Sequence, residues 1–435
     1  MKRELGIFER ALVISDRYAP FHSVYVLQLE TPPPSPVVGK TLKFLQKRHP
    51  FLRTRLLEDK GKYFFASLIE PALPFRVLPR WNDTHWVNVV EVELGAHIEW
   101  MVDPLFRCTY LYDENQKCAE IILTFSQSIM DAASVGQLLD ELLTVCASLM
   151  NEGTVTAHEL FPVPPLESRF PSAFRGFQFG MRTLGYGIRQ ATDELLYRLQ
   201  TRDKRTPPLP TKPSHGHIIS LCLPEAFVIT FLRRCDMEKV APDTVLQAAL
   251  LIAINRHLYA GKNTPMRTYS LWNMRPYVEP PLQNENLGRY TSPLRHSVLV
   301  EGGINVWQLA RSLQLKFYRS MKAGDHYVAA VRIEALLKRM LRTKSFRMGA
   351  TALSFNGELP VKRKYGEMSV TEMHSFISAY DLGPEFSGQV RIFQGELHWD
   401  FTYLDTDMSP DEARAVVEEI KSILNFAVTS PLFRI

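Results

Sequence analysis

Apolar and polar positions along this chain keep two periods, and the switches between them mark out the elements. Val24-Tyr-Val-Leu-Gln-Leu29 alternates like a strand, and Val38-Gly-Lys-Thr-Leu-Lys-Phe-Leu-Gln-Lys-Arg48 carries apolar residues at helical spacing. His49-Pro50 ends that helix, because the residue before a proline is pushed out of the helical region, and the next strand runs towards Leu56. Pro104–Tyr112 and Ala119–Phe125 read as two strands around the polar turn Asp113-Glu-Asn-Gln-Lys117. A polar cluster, Ser126 to Asp131, follows the second of them, and Val135-Gly-Gln-Leu-Leu-Asp-Glu-Leu-Leu143 continues with helical periodicity. The order is strand, tight loop, helix.

Regularity falls away from about 151 to 215. Pro162, Pro164 and Pro165 come early, Thr206-Pro-Pro-Leu-Pro-Thr-Lys-Pro213 comes late, and an Arg- and aromatic-rich segment of helical character lies between. The second half then repeats the style of the first. Ile218–Leu223 and Met266–Trp272 read as strands, Asp243–Arg256 as an apolar helix capped by Asp243, and Asn305–Lys322 as a further helix. Met348–Ser354 and Gln389–Tyr403 read as strands, and Pro410–Ala427 as the closing helix. The pattern predicts two mixed α/β domains, each a sheet covered by helices: residues 1–160, a connection over 161–215, and residues 216–435.

Composition changes this picture little. At 435 residues, 46% hydrophobic and 22% charged, the chain is of ordinary globular type, with ample core for two domains. Its formal charge of +5 is small and dispersed, so it points to no nucleic-acid partner. Five cysteines, at 108, 118, 146, 222 and 235, contain no C-x-x-C pair and predict neither a disulfide framework nor a metal site. Met1-Lys-Arg-Glu-Leu-Gly6 lacks a signal-peptide apolar region, and no run of about 18 apolar residues occurs, so a cytoplasmic protein without a transmembrane segment is expected.

The stretch Ser126-Gln127-Ser128-Ile129-Met130-Asp131-Ala132 resembles the His-His-x-x-x-Asp-Gly motif of one acyltransferase superfamily. That superfamily includes nonribosomal peptide condensation domains, plant BAHD acyltransferases, wax ester synthases and mycobacterial dimycocerosyl transferases. Four further segments resemble its landmarks in order: Arg48-His49-Pro50 with Leu52-Arg53 and Arg55-Leu56; Asp103-Pro104-Leu105-Phe106-Arg107; Asn273-Met274-Arg275-Pro276 with Asn284-Glu285-Asn286-Leu287-Gly288; and Leu353-Ser354-Phe355-Asn356-Gly357. The resemblance implies two chloramphenicol-acetyltransferase-like domains in a V with a central tunnel. It also implies a thioester donor, acyl-CoA or a phosphopantetheinyl acyl or peptidyl carrier protein, a small-molecule or lipid acceptor, and no bound cofactor or metal.

The motif is incomplete. In the family the second histidine is the general base, and Gln127 stands in its place. A carboxamide cannot take up a proton near pH 7, although it donates and accepts hydrogen bonds. The resemblance makes Gln127 the candidate catalytic position, with Ser126, Ser128, Asn356 and Gly357 as candidate substrate contacts. It also gives Asp131 and Arg275 a structural role, as an ion pair that fixes the loop. His398 reads as a surface residue, since it shares a face with Asp400 and Thr402 opposite Leu397, Trp399, Phe401 and Tyr403. Three functions stay open: an atypical acyltransferase or condensation enzyme of lipid or secondary-metabolite biosynthesis, acting on an alcohol or amine; a degenerate module that binds a carrier protein or biosynthetic partner; and a tunnel reused for cyclisation or other non-acyl chemistry.

Overall fold

A computed structural model describes residues 2–69, 71–113, 115, 117–201, 214–283, 285–343 and 347–431. Asn284 of the Asn284–Gly288 landmark and the proline-rich stretch Thr206–Pro213 lie outside the described residues.

The first half contains β1 (Lys2–Glu4), α1 (Ile7–Tyr18), β2 (His22–Glu30), α2 (Ser35–Arg48), β3 (Thr54–Asp59), β4 (Lys62–Ser67), β5 (Phe75–Leu78), α3 (His85–Gly95), β6 (Phe106–Leu111), β7 (Cys118–Ser126) and α4 (Ala132–Met150). The long helix α5 (Gly176–Thr201) occupies the connection. The second half contains β8 (Gly216–Leu223), α6 (Glu225–Glu238), α7 (Pro242–Leu258), β9 (Thr264–Asn273), β10 (Thr291–Val300), α8 (Val306–Ala323), α9 (Asp325–Thr343), β11 (Thr351–Glu358), β12 (Lys364–Tyr365), β13 (Met368–Ile377), β14 (Phe386–Phe393), β15 (Glu396–Leu404) and α10 (Pro410–Thr429).

Two six-stranded mixed sheets result, ordered β12-β13-β2-β7-β6-β5 and β10-β9-β11-β14-β15-β8, with β1, β4 and β3 forming a small third. Each large sheet has its own core. Leu27, Leu123 and Phe125 pack under Leu138, Leu139 and Leu142 of α4 in the first. Trp307, Trp399 and Phe401 pack with Leu250 and Leu251 of α7 in the second. Of the described residues, α4 is long and apolar enough to cross a membrane by length and composition alone. Its Val135, Leu139, Leu142 and Leu143 are instead fully buried in the domain core.

The second half does not stay within its own sheet. Strands β12 and β13 cross over, and β13 pairs antiparallel with β2, His374 opposite Val26. Asp400 of β15 pins the crossing strand: it accepts from Ser375 N at 2.6 Å, from Arg391 Nη1 at 2.6 Å, and lies 3.0 Å from His374 Nδ1. That contact corrects the expected exposure of His398. The polar face of β15 looks onto the crossing strand rather than onto solvent, and His398 is 5% exposed.

Two smaller differences have local causes. The closing strand is a hairpin, β14 and β15, because Gln394 and Gly395 both take positive φ where the sequence pattern shows no break. Helix α7 starts at Pro242, whose fixed φ suits the first helical position, so Asp243 lies in the first turn and not at the cap.

Candidate active site

The loop between β7 and α4 is built by three constraints. Register comes from β2, where His22 pairs with Ser126. Backbone bonds then hold the turn, with Ser126 N donating to Leu105 O at 2.9 Å, Gln127 N to Phe21 O at 3.3 Å and Ile129 N to Ser126 O at 3.2 Å. Asp131 caps α4, its Oδ1 accepting from Ser134 N at 3.0 Å. The Arg48-His49 landmark braces the same helix from behind, since Arg48 Nε and His49 Nε2 lie 2.6 and 2.7 Å from Glu141 of α4.

The other oxygen of Asp131 faces the segment arriving from β9. Arg275 Nη1 donates to Asp131 Oδ2 at 2.6 Å, and Tyr290 N donates to the same oxygen at 2.7 Å. Arg275 Nη2 reaches Ser134 Oγ at 2.8 Å, and that hydroxyl also receives Gly288 N at 2.9 Å. A Cβ at Gly288 would lie 2.7 Å from Val163 Cγ2, so only glycine allows this approach. Burial pushes the Asp131 carboxyl upward, but Arg275 and the Ser134 and Tyr290 amides outweigh it and hold the carboxyl below its ordinary value.

Gln127 lies at the other end of the loop, 2% exposed. Arg289 Nη1 donates to Gln127 Oε1 at 2.7 Å and to Met130 O at 3.1 Å. A guanidinium only donates, so this contact orients the amide, with Oε1 towards Arg289 and the Nε2 donors away. Arg289 was missed in the sequence, where it follows the Asn284–Gly288 landmark directly and reads as an ordinary basic residue. No periodicity signals a buried arginine.

Two cavities meet beside this pair. The larger, of about 820 Å³, is lined by residues of both halves, including Tyr25, Gln137, Asn273, Asn356, Lys362 and Arg363. The smaller, of about 90 Å³, is mostly apolar. Gln127, Leu271, Arg289, Ile377 and Gln389 line both, so they form the neck. Asp131 and Arg275 also border the larger cavity.

The remaining candidates are distributed unevenly. Asn356 lines the larger cavity and accepts from Ser354 Oγ at 3.0 Å. Gly357 has φ +63° in the bulge between Phe355 and Glu358 and lines neither cavity. Ser126 Oγ and Ser128 Oγ are 2.9 Å apart and hydrogen-bond each other, buried beneath the loop and away from both cavity walls.

Among the described residues, no histidine lines either cavity. His22, opposite Ser126, is fully buried, lies 3.0 Å from Ala96 O through Nε2, and is pushed down to about 4 by burial. It stays neutral and out of reach. Elsewhere, Cys222, Glu396 and His398 hold ligand-type atoms within 4.8 Å of one another on β8 and β15, outside the cavity walls.

Compared with known protein families and with characterised proteins, the sequence matches none. Solved structures do match. Polyketide synthase associated protein 5 from Mycobacterium tuberculosis aligns with a TM-score of 0.72 at 13% identity, covering 98% of each chain. A trichothecene 15-O-acetyltransferase from Fusarium sporotrichioides aligns with a TM-score of 0.78 at 10% identity, covering 98% of this chain and 95% of that one. The first condensation domain of the calcium-dependent antibiotic synthetase, in complex with a substrate analogue, aligns with a TM-score of 0.68 at 13% identity, covering 99% and 97%. At such identities the likeness is one of architecture: the chain has the two-domain fold of condensation domains and acyltransferases.

Proposed function

We propose that this protein is an atypical acyltransferase or condensation-type enzyme that joins a thioester-borne acyl group to an amine or alcohol at the neck beside Gln127. The observation that carries this reading is the placing of Gln127 where two open cavities of unlike polarity abut, in a fold shared with an acetyltransferase and with condensation domains. Lys362 and Arg363 on the wall of the larger cavity suit an anionic thioester such as acyl-CoA or a phosphopantetheinyl carrier protein.

In the reaction the acceptor nitrogen or oxygen attacks the thioester carbonyl carbon, and the C–S bond breaks. The acceptor's proton passes to the departing thiolate or to solvent, because Gln127 has no basic atom to receive it. Its Nε2 donors can polarise the carbonyl, and holding both reactants at the neck supplies proximity. General-base help, worth typically 10²–10⁴-fold, is forgone. An amine, nucleophilic when neutral, suits such a site better than an alcohol. Acyl-CoA and carrier-bound thioesters are tested with amine and alcohol acceptors, reading free thiol. Gln127→Ala should lower turnover; thiol release unaffected by it would sink the catalytic role.

A second reading, a module that binds a carrier protein without chemistry, is favoured by the absence of a histidine from the described cavity walls. It predicts carrier-protein binding with no thiol release in any acceptor panel. The larger cavity is polar as well as apolar, which gives no support to a purely shape-driven cyclisation.

A further inference from the structure

Arg289 differs from the other arginines near the loop in having no anion. It is 7% exposed, yet among the described residues no carboxylate comes within ion-pair distance of it, and both of its hydrogen bonds run from Nη1 to neutral oxygens. Nε is buried with no hydrogen-bond partner, and Nη2 makes none to a described residue. Asp131, the nearest source of negative charge, already has both oxygens engaged by Arg275, Ser134 and Tyr290. Burying a charge without a partner costs several kcal/mol, so such a group calls for a ligand.

The geometry specifies that ligand. With Nη1 engaged, the free edge is Nε and Nη2, the two parallel N–H donors that match the two oxygens of a carboxylate. Gln127 Oε1 is committed to Arg289, so Gln127 adds only further donors. Beyond the guanidinium, which sits over the Phe8 ring at 5.4 Å, the smaller cavity is walled by Phe8, Leu12, Phe21, Ile333 and Leu337. Its volume of about 90 Å³ equals that of about three waters in the liquid, enough for a short apolar chain.

We propose that the site takes a substrate bearing a free carboxylate, which pairs with the Nε–Nη2 edge of Arg289 while its short apolar portion occupies the smaller cavity. The proposal rests on the reading of this neck as a substrate site and names the substrate class, but it is tested by binding alone. Calorimetry with butyrate and its neutral counterpart butyramide is the probe, using the full chain. Butyrate should bind wild type at least about tenfold more tightly than butyramide, one charge-assisted contact being worth that much. Arg289→Gln should erase the preference, Arg289→Lys should keep part of it, and Gln127→Glu, which sets a carboxylate against Arg289, should block butyrate. Equal affinities for the two probes, or butyrate affinity retained in Arg289→Gln, would overturn the proposal. So would displacement of butyrate by equimolar inorganic phosphate, which marks a generic anion site.

A lower melting temperature of ligand-free Arg289→Gln would assign Arg289 a structural role instead; an unchanged or higher one fits a charge held ready for a ligand. Thiol release is followed in the same preparations. Butyrate binding without turnover overturns the enzyme reading and keeps this one, while turnover without carboxylate preference does the reverse.

Discussion

The five-residue loop at the head of α4 meets an arginine at each end, and both arginines arrive on the segment that leads from β9 into β10. At the Asp131 end, Arg275 finds a carboxylate, a hydroxyl and a carbonyl, and every partner is itself satisfied. At the Gln127 end, Arg289 finds only neutral oxygens and keeps one buried donor unused. The first end spends its electrostatics on holding two halves of the chain together. The second holds them in reserve at a cavity neck. The difference teaches that the two ends of one loop can be anchored by separate cations, so that the Asp131 end is held independently of what the Gln127 end binds.

The contrast is broken or confirmed most directly by removing each cation. Arg275→Met leaves Asp131 buried without a counter-charge and should cost about 3–5 kcal/mol in urea unfolding. Arg289→Met removes a buried charge that has no anion, and should cost little or raise stability. Equal losses from the two would erase the distinction. Next in size is Gln127→Ala, which deletes the amide of a residue that lines the neck. Thiol release should fall by roughly 10²-fold, as for loss of one preorganised donor to a developing oxyanion. Its unfolding curve should move far less than that of Arg275→Met. A stability loss as large as the kinetic one would place Gln127 with the scaffold.

Titration separates the two ends again, by a smaller amount. The folded Asp131 carboxyl lies below its ordinary value, so its stabilising contribution is present above the unfolded value of about 3.9 and is lost as pH falls through the folded one. Asp131→Asn should flatten the acid limb of melting temperature against pH below about 4. The neck contributes no such limb, and thiol release should show no inflection near the histidine range of about 6.5, because His22 titrates near 4 and lies off the cavity. An inflection there would reveal a base that the described neck does not contain.

Much of the scaffold was legible because it follows from local rules. β2, α2, β7 and α4 are strongly periodic, and the Asp131 to Arg275 pairing was readable through a resemblance spread over the chain. What stayed hidden depends on which elements meet far apart in sequence. The crossing of β13 onto β2 turned His398 from a surface residue into a buried one, and nothing in the alternation of β15 announces that its polar face is covered. Arg289 was invisible for the same reason: its burial comes from Gln127 and Phe8, both more than a hundred positions away. Ser126 and Ser128 were legible only as hydroxyls, whereas the turn that follows the end of β7 at Ser126 brings Ser128 Oγ back to 2.9 Å from Ser126 Oγ.

Those two serines give the smallest and most local test. Their hydroxyls are buried 2.9 Å apart and share one hydrogen bond, and neither has a basic partner to make it a nucleophile. Ser126→Ala strands the Ser128 hydroxyl in a dry site and should cost about 1–3 kcal/mol, the penalty of one unsatisfied buried group. The double change to alanine removes both polar groups together and should recover part of that loss, since replacing a bonded pair by apolar atoms is close to neutral. Thiol release should stay within about threefold of wild type in Ser126→Ala, Ser128→Ala and the double change, because such changes touch loop packing and no cavity wall. A loss of turnover in Ser128→Ala with unfolding unchanged would move that hydroxyl from the underside of the loop into the chemistry, and the neck would then have to be redrawn around it.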